Sequence, residues 1–373
     1  MRLLSFAQSL FIRLFFVVIG RRNPKKALIS FIVHPFLRRS KLHPNEIELF
    51  TIVEVLTKMG YQVTIVDYRR RKIFGKYDLV IGFGDCYEYA LKENVGDKYI
   101  LYSTGSPAFI QNENALEAFH RFKESTPSGL IGSSTQYIRI TESVWPRQLI
   151  ESDAIITIGN KHIKSLFNRF HSEVHCIPST CFDLGDIPIS ENVEVKSFIW
   201  FGGKGCIHKG LDLCIDAFIG TNLKLYIAGP LDEEIAIFKD KLDSYPNNIE
   251  YLGPLLIESN FFKSFTNKIP FAILPSCSEG MATSIVTLAY NFGTIPIVTK
   301  ECGIDFTPEL IEIKSLSLSA VHEAITEALT LTPKEIFERR SVIRNTFRKN
   351  HSNDVFKSDF MKILNKALNR VSI

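Results

Sequence analysis

Twice along this chain of 373 residues, short apolar runs alternate with stretches whose apolar residues recur every three or four positions. A strand apolar on both sides must be covered on both faces, and helices of a parallel sheet supply that cover. The first series of strand-like runs is Ala27–Val33, Gln62–Val66, Asp78–Phe83, Tyr99–Tyr102, Ala154–Ile158 and Val174–Ile177. Helical periods fall between them, near Asn112–Lys123, over Lys161–Phe170, and at Ile47, Leu49, Val53 and Leu56. The spacing of Asn45 and Glu48 predicts an N-cap with a capping box, and Gly60 closes that helix. Residues 179–195 show no period, carry Gly185 and Pro188, and read as a linker. A second series then begins with strands at Ser197–Phe201, Lys224–Ala228, Ile249–Leu252, Phe271–Leu274 and Ile295–Val298. Its helices are expected over Gly210–Ile219, Glu233–Leu242, Ser259–Phe265 and Ala282–Asn291, with mostly helix from Ser317 on. The fold class is therefore α/β: two doubly wound Rossmann-like domains, 27–190 and 195–345, facing across a cleft. A C-terminal helix over 346–373 is expected to pack back on the first. Ligands of such sheets sit beyond the carboxyl ends of the strands.

Composition narrows the functional classes. With 45% hydrophobic and 23% charged residues, the chain is neither disordered nor collagenous. Lys and Arg exceed Asp and Glu by 44 to 40, too small an excess for a dedicated nucleic-acid binder. The 29 phenylalanines suit either contact with a membrane surface or a Phe-rich core. Seven cysteines without Cys-x-x-Cys spacing point to a reducing compartment, the cytoplasm. His175, Cys176 and Cys181 come nearest to a zinc pattern and do not complete one, so no metal is expected.

The most apolar segment is Met1–Gly20. Arg13 interrupts it, so it falls short of the ~20 unbroken apolar residues of a membrane span. Its split apolar stretch lacks the small-residue cleavage site of a signal peptide. Read as a helix, it places Arg2, Ser5, Ser9 and Arg13 on one polar stripe, with Leu3, Phe6, Leu10, Leu14 and Val17 facing away. Arg21, Arg22, Lys25 and Lys26 follow. Residues 1–26 are thus expected to lie on the inner face of the cytoplasmic membrane as an amphipathic helix with a basic tail. The alternative is a helix packed on the body of the protein.

Standard phosphate motifs are absent. There is no Gly-x-x-x-x-Gly-Lys-Ser/Thr, Gly82-Phe83-Gly84 lacks its third glycine, and no Asp-x-Asp occurs. What stands out is Trp200-Phe201-Gly202-Gly203-Lys204-Gly205-Cys206-Ile207-His208-Lys209-Gly210: a strand, a glycine-rich loop with two lysines, then a helix. Such a loop admits an anion close to the backbone and aims helix N–H groups at it. About 70 residues on, Pro275-Ser276-Cys277-Ser278-Glu279-Gly280-Met281-Ala282 opens another helix, ending in Gly293-Thr294-Ile295-Pro296.

These two stretches, in this order, resemble the retaining glycosyltransferases of the two-Rossmann type called GT-B, chiefly their large family 4. The likeness covers roughly 195–305. It implies that Lys209 and Lys204 oppose the charge of a donor diphosphate, Lys204 standing where the family has arginine. It implies that Glu279 contacts donor-sugar hydroxyls, and that Gly202, Gly203, Gly205, Gly280, Met281 and Ala282 line the donor. The family's second glutamate is replaced here by Thr287. The acceptor-side histidine is replaced within Tyr102-Ser103-Thr104-Gly105-Ser106. That leaves His34, Asp85 and Thr104, each after a first-domain strand, as acceptor-side candidates. His208 reads as local structure. The implied activity is metal-free and cofactor-free transfer of a hexose from a nucleotide sugar to a glycan or lipid-linked acceptor. A non-catalytic nucleotide- or glycan-binding subunit of the same fold is the alternative, and an epimerase the third reading.

Overall fold

The computed structural model describes residues 15–20, 25–36, 43–125, 137–245 and 247–368. The chain divides into two compact units: 1–108 with 142–180 and 353–373, and 109–141 with 181–352. Residues 109–141 thus group with the second unit although they precede its sheet by more than fifty positions.

The first unit is built on a seven-stranded sheet. Its strands are β1 (Phe16–Ile19), β2 (Lys26–Phe31), β3 (Gln62–Asp67), β4 (Leu79–Gly82), β5 (Tyr99–Ser103), β6 (Ala154–Ile158) and β7 (Val174–Ile177). Their spatial order is β1-β3-β2-β4-β5-β6-β7, and every pairing is parallel except β1 with β3. Helices α1 (Pro44–Lys58), α2 (Asp85–Lys92), α4 (Pro146–Ile150) and α5 (Lys161–Phe167) belong to this unit. Leu28, Val80, Leu101 and Ile155 on the strands share one apolar cluster with Tyr87, Ile163 and Phe167.

The second sheet has strands β8 (Ser197–Phe201), β9 (Lys224–Ala228), β10 (Ile249–Gly253), β11 (Phe271–Leu274), β12 (Ile295–Val298) and β13 (Ile311–Glu312). The order is β10-β9-β8-β11-β12-β13, all parallel. This is the strand order of a dinucleotide-binding sheet, which reverses direction between β8 and β11. In the first sheet the reversal falls between β2 and β4. Helices α3 (Ala108–Ser125), α6 (Leu211–Phe218), α7 (Lys239–Ser244), α8 (Asn260–Thr266), α9 (Thr283–Phe292), α10 (Leu318–Leu329) and α11 (Pro333–Asn350) go with this unit. Phenylalanine fills its centre: Phe198 stacks on Phe271 at 5.0 Å and meets Phe218 edge-on at 5.1 Å. Much of the phenylalanine content is therefore core. The last helix, α12 (Asn353–Leu368), packs on α1 and β7 of the first unit.

Three expectations change. Residues 16–19 are not helical; they form the antiparallel edge strand β1, in which Phe16 and Val18 alternate with Val17 and Ile19. The rest of the expected amphipathic helix, 1–14, and the basic pair Arg21 and Arg22 lie outside the described residues. Helix α1 is capped by His43, whose Nδ1 accepts the Asn45 N–H at 3.1 Å, with Pro44 in the first turn. Glu48 is too deep to complete a capping box, for it accepts the Tyr102 hydroxyl at 3.0 Å inside the fold. Finally, 233–242 is a short 3₁₀ turn, Ile235–Phe238, followed by α7 rather than one helix. Among the described residues, no helix is long and apolar enough to cross a membrane.

Candidate functional site

The reversal of the second sheet lies where β8 and β11 pair, so the loops that leave these two strands flank one crevice. Those loops are the two stretches singled out in the sequence. They are stitched together by the backbone. Cys277 N–H donates to His208 O at 2.8 Å, and a Cβ on Gly210 would sit 2.2 Å from Pro275 O. Gly210 also has φ +66°, a conformation that favours glycine. Trp200, fully buried, anchors the return of the first loop by donating its indole N–H to Lys209 O at 3.1 Å. The same ring excludes a side chain at Gly202, where a Cβ would lie 2.5 Å from it.

Within this double loop Lys209 and Glu279 form a buried ion pair, 8% and 9% exposed, with Lys209 Nζ donating to Glu279 Oε1. The Ser276 hydroxyl donates to the same oxygen at 3.0 Å, and Arg139 Nη1 lies 3.7 Å from the other. Burial by itself would raise the Glu279 carboxyl, but Lys209, Arg139 and His208 outweigh it and hold the group at about 2. His208 is fully buried; its Nε2 bonds Ser278 O at 2.5 Å and its Nδ1 faces Cys277 Sγ at 3.4 Å. A carbonyl needs a donor, so Nε2 carries the proton and Nδ1 accepts the thiol. Burial pushes the imidazole down to about 4, so it stays neutral and splints the two loops.

The other donor-side residues divide. Gly203 faces open space, with no atom within 4 Å of where a Cβ would stand. The Gly205 and Cys206 N–H groups, however, are already engaged: both donate to the buried carboxylate of Glu234, at 2.9 and 2.7 Å. Lys204 is exposed and pairs with Glu233 at 2.9 Å. Ala282 donates its N–H to Cys302 O at 2.9 Å, so it offers none to a ligand, contrary to the expectation for it. Met281 and Gly280 are buried just before α9, whose N-cap Ala282 provides no side-chain cap. Thr287 is buried and donates its hydroxyl back to Thr283 O at 2.8 Å, which leaves only its acceptor side for a ribose. Among the described residues, no group of three His, Cys, Asp or Glu side chains is disposed to hold a metal ion.

Arg139 and Glu234 were not found in the sequence. Arg139 lies in the stretch 109–141 that joins the second unit from far upstream. Glu234 sits among acidic neighbours that nothing in the spacing distinguishes.

In the first unit, His34, Asp85 and Thr104 follow β2, β4 and β5, three adjacent strands, and so share the carboxyl edge of the sheet at its reversal. His34 Nε2 is 3.8 Å from Glu46 Oε1. Asp85 opens α2, accepts the Trp145 indole N–H at 2.8 Å and lies 3.6 Å from Arg71 Nε. Trp145 is held at φ +39°, a costly conformation for so bulky a residue. Gln148 fixes the turn by bonding both Gly84 N–H and Gly84 O, at 3.1 and 2.9 Å. Thr104 is partly exposed.

No family model matches the chain, and no curated protein matches it in sequence. Solved structures do. HepE of Anabaena, crystallised in complex with UDP and glucose, superposes with a TM-score of 0.56 at 10% identity, over 92% of this chain and 100% of that one. WaaG, a glycosyltransferase involved in lipopolysaccharide biosynthesis, gives 0.54 at 13% identity over 90% and 98%. TarM gives 0.53 at 13% identity over 78% of this chain, which spans 55% of TarM's length. Identities this low establish a common fold. The chain has the GT-B fold, two Rossmann-like units each built on a doubly wound sheet.

Proposed function

We propose that the protein is a retaining glycosyltransferase. It moves a hexose from a nucleotide sugar to a glycan or lipid-linked acceptor in the synthesis of a cell-surface polysaccharide or glycoconjugate. It does so without metal or cofactor, at the inner face of the cytoplasmic membrane. The observation that carries this reading is the buried Lys209–Glu279 pair at the reversal of a dinucleotide-type sheet. UDP and glucose in HepE crystals add weight to the same donor class here. Glu279, held ionised, accepts hydrogen bonds from sugar hydroxyls, which a charged acceptor makes about twice as strong as a neutral one. Lys209 turns part of its charge toward the diphosphate as the glycosidic bond breaks and negative charge grows on the leaving group. Arg139 adds a second cation from the open side. Lys204 reaches the phosphates only by leaving Glu233. Residues 1–26 tether the chain to the membrane, and His34, Asp85 and Thr104 receive the acceptor.

The test is titration calorimetry with UDP and UDP-glucose, followed by nucleotide release and sugar transfer measured over a panel of donors and acceptors. Saturable binding with transfer supports the reading. Saturable binding with no transfer to any acceptor favours the second one, a binding subunit beside a transferase, to which the Thr287 hydroxyl spent on Thr283 lends support. Absence of nucleotide binding defeats both.

A further inference from the structure

The loop between β3 and β4 reads Tyr68-Arg69-Arg70-Arg71-Lys72-Ile73-Phe74-Gly75-Lys76-Tyr77-Asp78, with five cations and one acid, Asp78, whose carboxylate accepts the Lys26 N–H. Its anchors are clear. Ile73 and Tyr77 are buried in the core cluster of the first unit, and Arg69 is spent on Asp67 at 2.7 Å. Phe74, between two buried residues, is 79% exposed, and Gly75 beside it has φ +100°. The backbone thus turns a large apolar ring into water between the buried anchors Ile73 and Tyr77, so Phe74 adds nothing to the core. Arg71, Lys72 and Lys76 are exposed around it. The adjacent surface continues the pattern. Phe16 and Val18 on the outer face of β1 are 56% and 50% exposed, and the Arg70 guanidinium stands over the Phe16 ring at 5.9 Å. That contact makes the loop and the edge strand one patch.

We propose that this patch, Phe74 and Phe16 set among Arg70, Arg71, Lys72 and Lys76, is the surface by which the first unit docks on an anionic lipid bilayer. The occupant is chosen by charge: a basic rim around aromatic side chains fits anionic headgroups over hydrocarbon, and the loop's five cations outnumber its one acid, Asp78. Its basic loop lies outside the tether assigned to residues 1–26, although Phe16 of that segment completes the patch, and the proposal does not depend on the glycosyl-transfer reading. It does bear on that reading, because Arg71 lies 3.6 Å from Asp85, so a docked bilayer would present a lipid-linked acceptor beside the acceptor-side residues.

The experiment uses the full chain and vesicles of phosphatidylglycerol with phosphatidylethanolamine, against phosphatidylcholine alone. Phe74→Trp is read by quenching from brominated acyl chains, over the constant background of Trp145 and Trp200. Added quenching is expected, and only with the anionic vesicles. Phe74→Ser and Lys72→Glu should each lower partitioning by roughly tenfold. The loss with Lys72→Glu should shrink at high salt and that with Phe74→Ser should not. A full chain carrying Leu3→Ser and Phe6→Ser should retain the quenching at position 74. Calorimetry with UDP should be unchanged in the two loop variants, so a failure of docking and a failure of donor binding are told apart. The proposal is overturned if Phe74→Trp shows no added quenching. It is also overturned if Phe74→Ser binds vesicles like the parent chain, or if these variants instead abolish a concentration-dependent dimer, which would make the patch an edge-to-edge contact between copies.

Discussion

Lys209 is a cation whose removal uncovers an anion. Lys209→Ala leaves Glu279 buried with Arg139 no nearer than 3.7 Å, and breaking a buried pair in this way costs about 3–5 kcal/mol. We therefore expect Lys209→Ala to lose both stability and turnover, the latter by roughly 10²–10³. Lys209→Met with Glu279→Gln should recover most of the melting temperature and none of the turnover. Thermal unfolding beside a transfer assay checks this; parent-like turnover in either variant would remove Lys209 from the chemistry. Glu48 makes the opposite kind of residue. It is fully buried beside Tyr102 and Thr180, and burial lifts its carboxyl from the ordinary 4.5 to about 7 against the lowering effect of those two donors. Between these values the folded chain holds a proton that the unfolded chain has released. Stability is fully present below 4.5 and is lost as pH rises through about 7, by about 3 kcal/mol at most. Glu48→Gln should melt higher than the parent at pH 8, with the gap closing by pH 5. An equal gap at both pH values would show that Glu48 does not titrate there.

Among elements, Arg340 fastens the junction of α9, α8 and α11. Arg340 of α11 is fully buried and faces no carboxylate among its bonded partners. It donates to Ser190 O, Asn267 O and Oδ1, and Phe292 O at 2.9–3.1 Å. Burial brings it down to about 10, yet it stays charged at neutral pH. Arg340→Leu strands those acceptors, and at about 1–3 kcal/mol for each unsatisfied group the loss should exceed 3 kcal/mol. Gly293 closes α9 at φ +64°, where a Cβ would stand 2.1 Å from Arg340 O. Gly293→Ala should therefore push α11 away and destabilise by more than the roughly 1 kcal/mol of a strained turn alone. Urea unfolding of both variants is the measurement, and a loss under 1 kcal/mol in either would deny the fastening. The glycine-rich loop is held comparably by Glu234. Glu234→Ala frees two buried N–H groups, and nucleotide affinity should fall although the residue touches neither Lys209 nor Glu279.

For the whole molecule, helix α12 is an element of the first unit although it follows the second unit in sequence. Phe356, Phe360 and Leu364 are fully buried, Phe360 meets the Tyr102 ring at 6.2 Å, and Lys357 pairs with Glu54 of α1 at 2.5 Å. At about 1.5–3 kcal/mol per buried side chain, those three alone match much of a domain's total stability of about 5–15 kcal/mol. A chain ending at Ser352 should thus lose hydrogen-exchange protection across β2 to β7 and keep it across β8 to β13. Equal loss in both sheets would mean that the units do not fold separately.

Periodicity made most of the fold legible, because burial on two faces leaves apolar runs that no loop tolerates. The two loops that bring Lys209 and Glu279 together stood out in the sequence because each runs from a buried strand through glycine into a helix. What a linear reading missed shares one cause: contacts made by residues far apart in the chain. Residues 16–19 look helical alone and are a strand because β3 offers an open edge to pair with. Asn45 and Glu48 have capping-box spacing, but the interior claims Glu48 first. Gly205 and Ala282, expected to line a ligand, have their N–H groups taken by Glu234 and Cys302, 20 or more residues away. Alternating apolar runs dictate the two largely parallel sheets and the glycine-rich turns at the reversal of the second. Which donors and charges in those turns remain available follows from packing across the fold, because a buried polar group bonds to whatever partner packing brings within about 3 Å.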